Sequence, residues 1–152
     1  MERESVAHGI HEYERGEDLR DFGREAAESL GVPFDQVFKT LLVDTEGGDA
    51  PRDPVVVVVP VSCMVSMKLV AAAVGAKKAA MCDPSEAERI TGYVVGGISP
   101  LGQRKRLVTV LDETVELFDT VYVSGGRRGL DVSLAPADLR RLLDALVAPI
   151  TT

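Results

Sequence analysis

Pro54-Val55-Val56-Val57-Val58-Val59-Pro60-Val61 is an unbroken run of strand formers with no polar residue in it. A strand with one face in water alternates apolar and polar residues. A continuous β-branched run of this length reads instead as a strand covered on both faces. Working outward toward the C-terminus, Met67 to Val74 predicts a helix stopped by Gly75, and Lys77 to Cys82 another short strand. Asp83-Pro84 opens a second helix, with aspartate as N-cap and proline in the first turn. Toward the N-terminus, Val37 to Val43 is rich in strand formers and Val6 to Tyr13 reads as a short first strand. Between them Asp18 caps an amphipathic helix with Leu19, Phe22, Ala26, Ala27 and Leu30 on its apolar face, ended by Gly31. The last third predicts strands at Leu107–Leu111, Thr120–Val123 and Gly129–Leu134, with a short helical or irregular piece between the first two. A closing helix is expected over Ala135–Val147, striped by Leu139, Leu142, Leu143 and Leu146. Interleaved strands and helices without a linker or repeat predict one mixed α/β domain over residues 1–152, its sheet curved around a cavity.

Composition bounds the function. The chain has 152 residues, 45% apolar and 27% charged, the balance of an ordinary globular protein. No run is long enough for a membrane span, and the polar, acidic N-terminus carries no visible signal peptide, so no membrane partner and a cytoplasmic setting are expected. Cys63 and Cys82 lack metal spacing and read as small buried hydrophobes. His8 and His11 have no further ligand beside them in the sequence. The net charge is −7, whereas a protein that holds a long nucleic acid by its phosphates carries a basic face. Positive charge is local: Lys77-Lys78, Arg104-Lys105-Arg106 and Arg127-Arg128. That suits a nucleotide or a short nucleic-acid end.

Two segments carry more glycine than a connection needs. Thr91-Gly92-Tyr93-Val94-Val95-Gly96-Gly97-Ile98-Ser99-Pro100-Leu101-Gly102 holds four glycines, and Ser124-Gly125-Gly126-Arg127-Arg128-Gly129-Leu130-Asp131 follows a strand-like run. Each alone is readable as a plain loop or a hairpin with solvated arginines. Together they suggest backbone N–H groups turned toward a polar, anionic ligand. Lys39, inside Val37-Phe38-Lys39-Thr40-Leu41-Leu42-Val43, either marks the solvent face of an edge strand or faces a cavity. Asp131 sits inside a strand, where an acid is disfavoured unless exposed or paired, and Lys39 is one candidate partner. Tyr13 is either a pocket-rim phenol or an amphipathic surface residue. Ser99 and Ser124 lie in the glycine segments, but neither histidine has the context of a partnered base. No nucleophile elbow, Walker loop or His-Glu-x-x-His is present.

Val37-Phe38-Lys39-Thr40-Leu41, Val58-Val59-Pro60-Val61, Gly75-Ala76-Lys77-Lys78, Thr91 to Gly102 and Ser124 to Leu130 occur in that order. In this the chain resembles the YbaK/EbsC family of aminoacyl-tRNA deacylases, related to the editing domain of bacterial prolyl-tRNA synthetases. The likeness runs from about Tyr13 to Leu146 and is greatest to the free-standing Cys-tRNA(Pro) deacylases. It implies a curved, mixed, largely antiparallel sheet or barrel with surrounding helices, and neither metal nor other cofactor. It implies hydrolysis of the ester between a wrong amino acid and the terminal adenosine of tRNA. Lys39 matches the residue tied to activity, with Gly96, Gly97, Ile98 and Ser99 as the catalytic backbone loop. Tyr13, Thr40, Gly102, Ser124, Gly125, Gly126, Arg127 and Asp131 match substrate-binding positions.

The same resemblance implies a mechanism in which the cysteinyl thiol attacks its own ester carbonyl, held in the reactive conformer by the protein. Loop N–H groups would stabilise the oxyanion, and transient contact with prolyl-tRNA synthetase would lend tRNA identity. Two departures accompany it. Relatives carry a helix before the first strand where this chain starts almost at the strand, and Leu-Asp-Leu where it has Val65-Ser66-Met67, leaving Ser66 as N-cap.

Overall fold

A computed structural model describes residues 6–12, 27–28 and 30–152. Tyr13, and the expected first helix apart from residues 27, 28 and 30, lie outside the described residues. In chain order the strands are β1 (His8–Glu12), β2 (Phe38–Glu46), β3 (Val55–Pro60), β4 (Lys78–Met81), β5 (Thr109–Asp112), β6 (Val121–Arg127), β7 (Leu130–Leu134) and β8 (Leu146–Ala148). The helices are α1 (Met67–Val74), α2 (Pro84–Thr91) and α3 (Pro136–Leu143).

The valine run is central, as its composition requires. All six residues of β3 are buried, and β3 is paired on both edges, antiparallel to β2 and parallel to β5. Side chains of a strand alternate between faces. Val55, Val57 and Val59 therefore enter one core with Val43, Val70, Val110 and Ile150. Val56 and Val58 enter a second core with Phe38, Leu42, Leu111, Val121, Val123, Leu134 and Leu139. Each fully buried valine side chain contributes about 1.5 kcal/mol or more of transfer free energy. Helix α1 closes the first core. Ser66 Oγ caps it by accepting the Leu69 N–H at 3.2 Å, and Gly75 ends it at φ 75°. The second core is closed by α2, α3 and a separate three-stranded sheet.

The curved sheet is thus realised as two sheets of order β4-β2-β3-β5-β8 and β1-β7-β6. Pairings are antiparallel except β3·β5 and β5·β8, which are parallel.

The C-terminal segment departs from expectation. The apolar stripe predicts a helix through Val147, but α3 stops at Leu143 and Asp144 adopts φ 50°. Residues 146–148 instead form β8 against β5. Leu139 is fully buried, whereas Leu146 is 47% exposed on the edge strand. What holds this tail is a buried carboxylate. Asp112 Oδ1 accepts the Ile150 N–H at 3.0 Å and the Thr151 hydroxyl at 3.2 Å. Its Oδ2 accepts the Thr114 N–H and hydroxyl at 3.3 and 2.6 Å, capping the 3-10 turn over Glu113–Leu117.

Removing the Asp112 carboxylate leaves those donors, the buried Ile150 N–H among them, without their acceptor. Asp112→Ala is expected to lower stability by about 2–4 kcal/mol, read as the shift in a urea unfolding curve.

Candidate active site

Strand β2 has an edge that no neighbouring strand covers. Its N-terminal end touches β6 through a single parallel bridge, Val37 with Tyr122. Its C-terminal half is paired with β4 from Val43 to Glu46. Between these two attachments β6 and β4 diverge, and no strand pairs with that edge over Phe38–Leu42 among the described residues. A cavity of about 280 Å³ occupies the gap. Strand β2 supplies Phe38, Lys39, Thr40 and Leu42 to its wall, and the second sheet supplies Ser124 and Asp131. The end of β4 and the start of α2 supply Met81, Cys82, Pro84 and Ala87, and the glycine loop supplies Val95, Gly96 and Ile98.

The loop reaches the cavity because α2 aims it there. Asp83 Oδ1 accepts the Ser85 N–H at 2.9 Å to start the helix, and Gly92 ends it at φ 83°. The Gly97 N–H donates to Val94 O at 2.9 Å, closing a tight turn in which Gly96 takes φ 89°. A side chain there would be strained. The Tyr93 hydroxyl donates to Leu101 O at 2.6 Å and clasps the two ends of the loop together.

The second glycine segment fits against the first. The two-residue turn is Arg128-Gly129, while Gly125 and Gly126 form a bulge in β6. A Cβ on Gly97 would stand 2.9–3.0 Å from the backbone of Arg127 and Arg128, so the two chains meet backbone to backbone. Tyr93 fills the space beside Gly126, where a Cβ would lie 3.0 Å from its ring. The Arg128 guanidinium donates to Val95 O at 2.8 and 3.2 Å, locking hairpin to loop. Among the described residues the amides of Gly96 and Ile98 donate to no protein group.

Six of the residues singled out from sequence meet at the cavity: Lys39, Thr40, Gly96, Ile98, Ser124 and Asp131. Asp131 is buried, and Thr40 Oγ1 is buried with no hydrogen-bond partner among the described residues. The others that the structure describes lie behind the wall or at the surface beside it. Ser99 is buried and its hydroxyl accepts the Leu101 N–H at 3.1 Å. Gly97 touches the hairpin, Gly125 lies against Leu130, and Gly102 lies beside the Tyr93 hydroxyl. Arg127 is at the surface, paired with Glu12 at 3.1 Å. With Glu88, Val94 and Arg128 it lines a second concavity of about 600 Å³ next to the loop. Sequence reasoning missed Phe38, Leu42 and Cys82 as wall residues and Arg128 as the loop clamp. No sequence signal marks them, because their roles come from contacts between distant segments.

Ser124 stands across the β6–β7 ladder from Asp131 and Cys82 lies by Asp44, and among the described residues neither is hydrogen-bonded to a histidine. The Ser124 hydroxyl accepts the Gly126 N–H at 3.2 Å. His11 Nε2 is 2.8 Å from Ser133 Oγ and its ring packs on Tyr122, while His8 Nδ1 is 2.8 Å from Val6 O. Burial, reinforced by the Asp44 carboxylate, pushes the Cys82 thiol up to about 11. Among the described residues no cluster of three or more His, Cys, Asp or Glu side chains is placed to hold a metal. No helix there is long and apolar enough to cross a membrane.

A family model for the aminoacyl-tRNA editing domain matches residues 17–142. Over its whole length the chain is 36% identical to 90% of an Enterococcus faecalis protein named "Putative Cys-tRNA(Pro)/Cys-tRNA(Cys) deacylase EbsC". It is 26% identical, over 85% of the chain and 81% of the relative, to the multifunctional Ser/Thr-tRNA deacylase ProXp-y of Escherichia coli. The crystal structure of a hypothetical protein superposes with a TM-score of 0.85 at 24% identity, over 99% of this chain and 95% of that one, which establishes the shared fold. The chain belongs to the aminoacyl-tRNA editing domain family and is an aminoacyl-tRNA deacylase.

The raised Cys82 thiol yields a direct check of the cavity wall. At pH 8 its thiolate population is about 100-fold below that of an unperturbed thiol, and the side chain is buried whereas Cys63 is partly exposed. Iodoacetamide at pH 8 is expected to label Cys63 well before Cys82, followed by peptide mapping. Equal labelling would contradict this placement.

Proposed function

We propose that this editing deacylase removes cysteine from mischarged tRNA(Pro), using the thiol of the substrate as the nucleophile. The observation that carries this reading is the absence, among the described residues, of an activated protein nucleophile at the cavity. The Ser124 hydroxyl accepts the Gly126 N–H and is hydrogen-bonded to no histidine among the described residues, and Cys82 is held in its protonated form. The cysteinyl thiol is already tethered next to the ester, and such proximity has a large effective concentration. In the step, a bond forms between sulfur and the carbonyl carbon and the bond from that carbon to the ribose oxygen breaks. The thiol proton ends on the ribose hydroxyl, and the products are a β-thiolactone and free tRNA.

The cavity offers a group for each demand of that step. The Gly96 and Ile98 amides, which donate to no protein group among the described residues, would receive the oxyanion, a contribution of about 10²–10³-fold per donor in related chemistry. Lys39 orients the carbonyl or the terminal nucleotide. Phe38, Leu42 and Ala87 give the thiol-bearing carbon an apolar wall. Arg127 and Arg128, at the neighbouring concavity, provide positive charge for the phosphates leading into the site. The name of the Enterococcus relative supports the cysteinyl substrate. The Escherichia relative, named for Ser/Thr-tRNA, favours a second reading in which water cleaves a different mischarged ester.

With a net charge of −7, the chain has little means of holding the body of a tRNA. Selection of tRNA(Pro) then comes from transient contact with prolyl-tRNA synthetase, and the isolated protein is expected to cleave Cys-tRNA(Pro) and Cys-tRNA(Cys) at similar rates.

The purified protein is expected to deacylate Cys-tRNA(Pro) far faster than Ala-tRNA(Pro), and Lys39→Ala to lose about 10²-fold or more in kcat/KM. S-methylcysteinyl-tRNA(Pro) separates the two readings. Substrate-assisted cleavage stops on it, whereas attack by water continues. Loss of all cleavage by the wild-type protein would leave a binding module that docks on tRNA or a synthetase.

A further inference from the structure

Thr40 has features that the reaction above leaves unused. Its hydroxyl is buried at the cavity wall and has no hydrogen-bond partner among the described residues, although buried hydroxyls are nearly always hydrogen-bonded. Its backbone is equally exposed to the gap. Consecutive residues of a strand direct their N–H and C=O groups to opposite edges. The Val37 carbonyl accepts the Val61 N–H on the β3 side, and the Leu42 carbonyl accepts the Cys82 N–H on the other side. Thr40, in step with Leu42, therefore turns its own N–H and C=O away from β3 and into the unpaired gap. The Thr40 carbonyl thus turns into the gap and its hydroxyl lies covered in the wall of the same cavity, with Asp131 of the opposing sheet also lining it.

Resting on the deacylase reading, we propose that Thr40 is the binding site for the free α-ammonium group of the aminoacyl ester, and that the enzyme thereby spares N-acylated esters such as peptidyl-tRNA. The α-ammonium is shared by all aminoacyl esters and is attached one carbon from the scissile carbonyl. It carries one positive charge and three N–H donors, which match acceptor oxygens and a nearby carboxylate. Lys39 and Thr40 are consecutive in β2 and leave it on opposite faces, which keeps the lysine cation off the ammonium and assigns Lys39 to the terminal nucleotide, the second of its two roles above. An N-acyl group removes the charge, takes away two donors and adds bulk against the β2 edge. A site built on polar groups rejects an analogue that cannot pair with them far better than an apolar pocket does.

The test compares kcat/KM for cysteinyl-tRNA and N-acetylcysteinyl-tRNA in the wild type, Thr40→Val and Thr40→Ser. The wild type is expected to prefer the free-amino ester by about 10- to 100-fold. Valine, equal in shape and suited to a strand, is expected to reduce that preference about tenfold, through KM for the free-amino ester; serine, which keeps the oxygen, retains it. A wild type indifferent to acetylation would overturn the proposal. So would a valine variant that slows both esters equally and keeps the preference, since that is the mark of a structural role. Failure of the wild type to cleave either ester would overturn the deacylase reading instead, and this inference with it. A second measurement needs no variant: competition by 3′-cysteinylamido-3′-deoxyadenosine and its N-acetyl derivative. Equal inhibition by the two compounds refutes ammonium recognition.

Discussion

Close approach of two backbones, Gly97 against Arg127 and Arg128, is the constraint on which the rest of the site depends. A Cβ at position 97 would come within 3.0 Å of the hairpin and push the segments apart. Once they touch, Arg128 reaches Val95 O and Tyr93 fits beside Gly126. The turn through Gly96 is then fixed at the cavity wall. The two glycine-rich segments are therefore halves of one contact, and neither conformation makes sense without the other. Oriented backbone dipoles are effective in catalysis only when held rigidly, since they must not reorganise as charge develops.

The cavity itself follows from how β2 is shared. A strand in two partnerships normally has both edges filled. Here β6 leaves β2 after one bridge and β4 arrives only at Val43. The intervening edge would be a liability on the outside of a protein, because unpaired peptide groups invite another strand. Enclosed between two sheets, an α-helix and a loop, it becomes an ordered set of donors and acceptors. The central strand β3 makes this tolerable. Its valines pack into both cores, so the sheet does not rely on the missing pairs for its stability.

Local signals read well from the sequence, and the reason is physical. The valine run, the Ser66 and Asp83 caps, and the stop at Gly75 are set by residues within one turn of each other. The end of α3 is different. Leu142, Leu143 and Leu146 continue a helical stripe, yet residues 146–148 gain more by pairing with β5, and Asp112 fixes the tail beyond them. That preference belongs to a partner over thirty residues away in the chain. The same holds at the site. Lys39 and Asp131 were legible because polar groups in apolar strands need an explanation, and Thr40 and Ser124 through the resemblance to the YbaK/EbsC family. Cys82 and Leu42 were not, because an apolar side chain looks alike whether it faces a core or a cavity.

Selectivity is the property that apolar packing supplies least well. A pocket distinguishes substrates differing by one methylene or one small group by roughly 1–3 kcal/mol. Cysteine, alanine and proline differ by about that much, and the cavity walls at Phe38, Leu42, Ala87 and Ile98 are smooth and apolar. Under the proposed mechanism discrimination moves from shape to chemistry, because an alanyl or prolyl ester brings no thiol to attack with. The protein then has no need of a nucleophile at this site, and an activated one would be harmful, since it would cleave correctly charged esters that entered the same cavity. A thiol kept protonated in the wall is consistent with that demand. Rigid N–H donors and a fixed seat for the amino acid accelerate only a substrate able to complete the reaction itself.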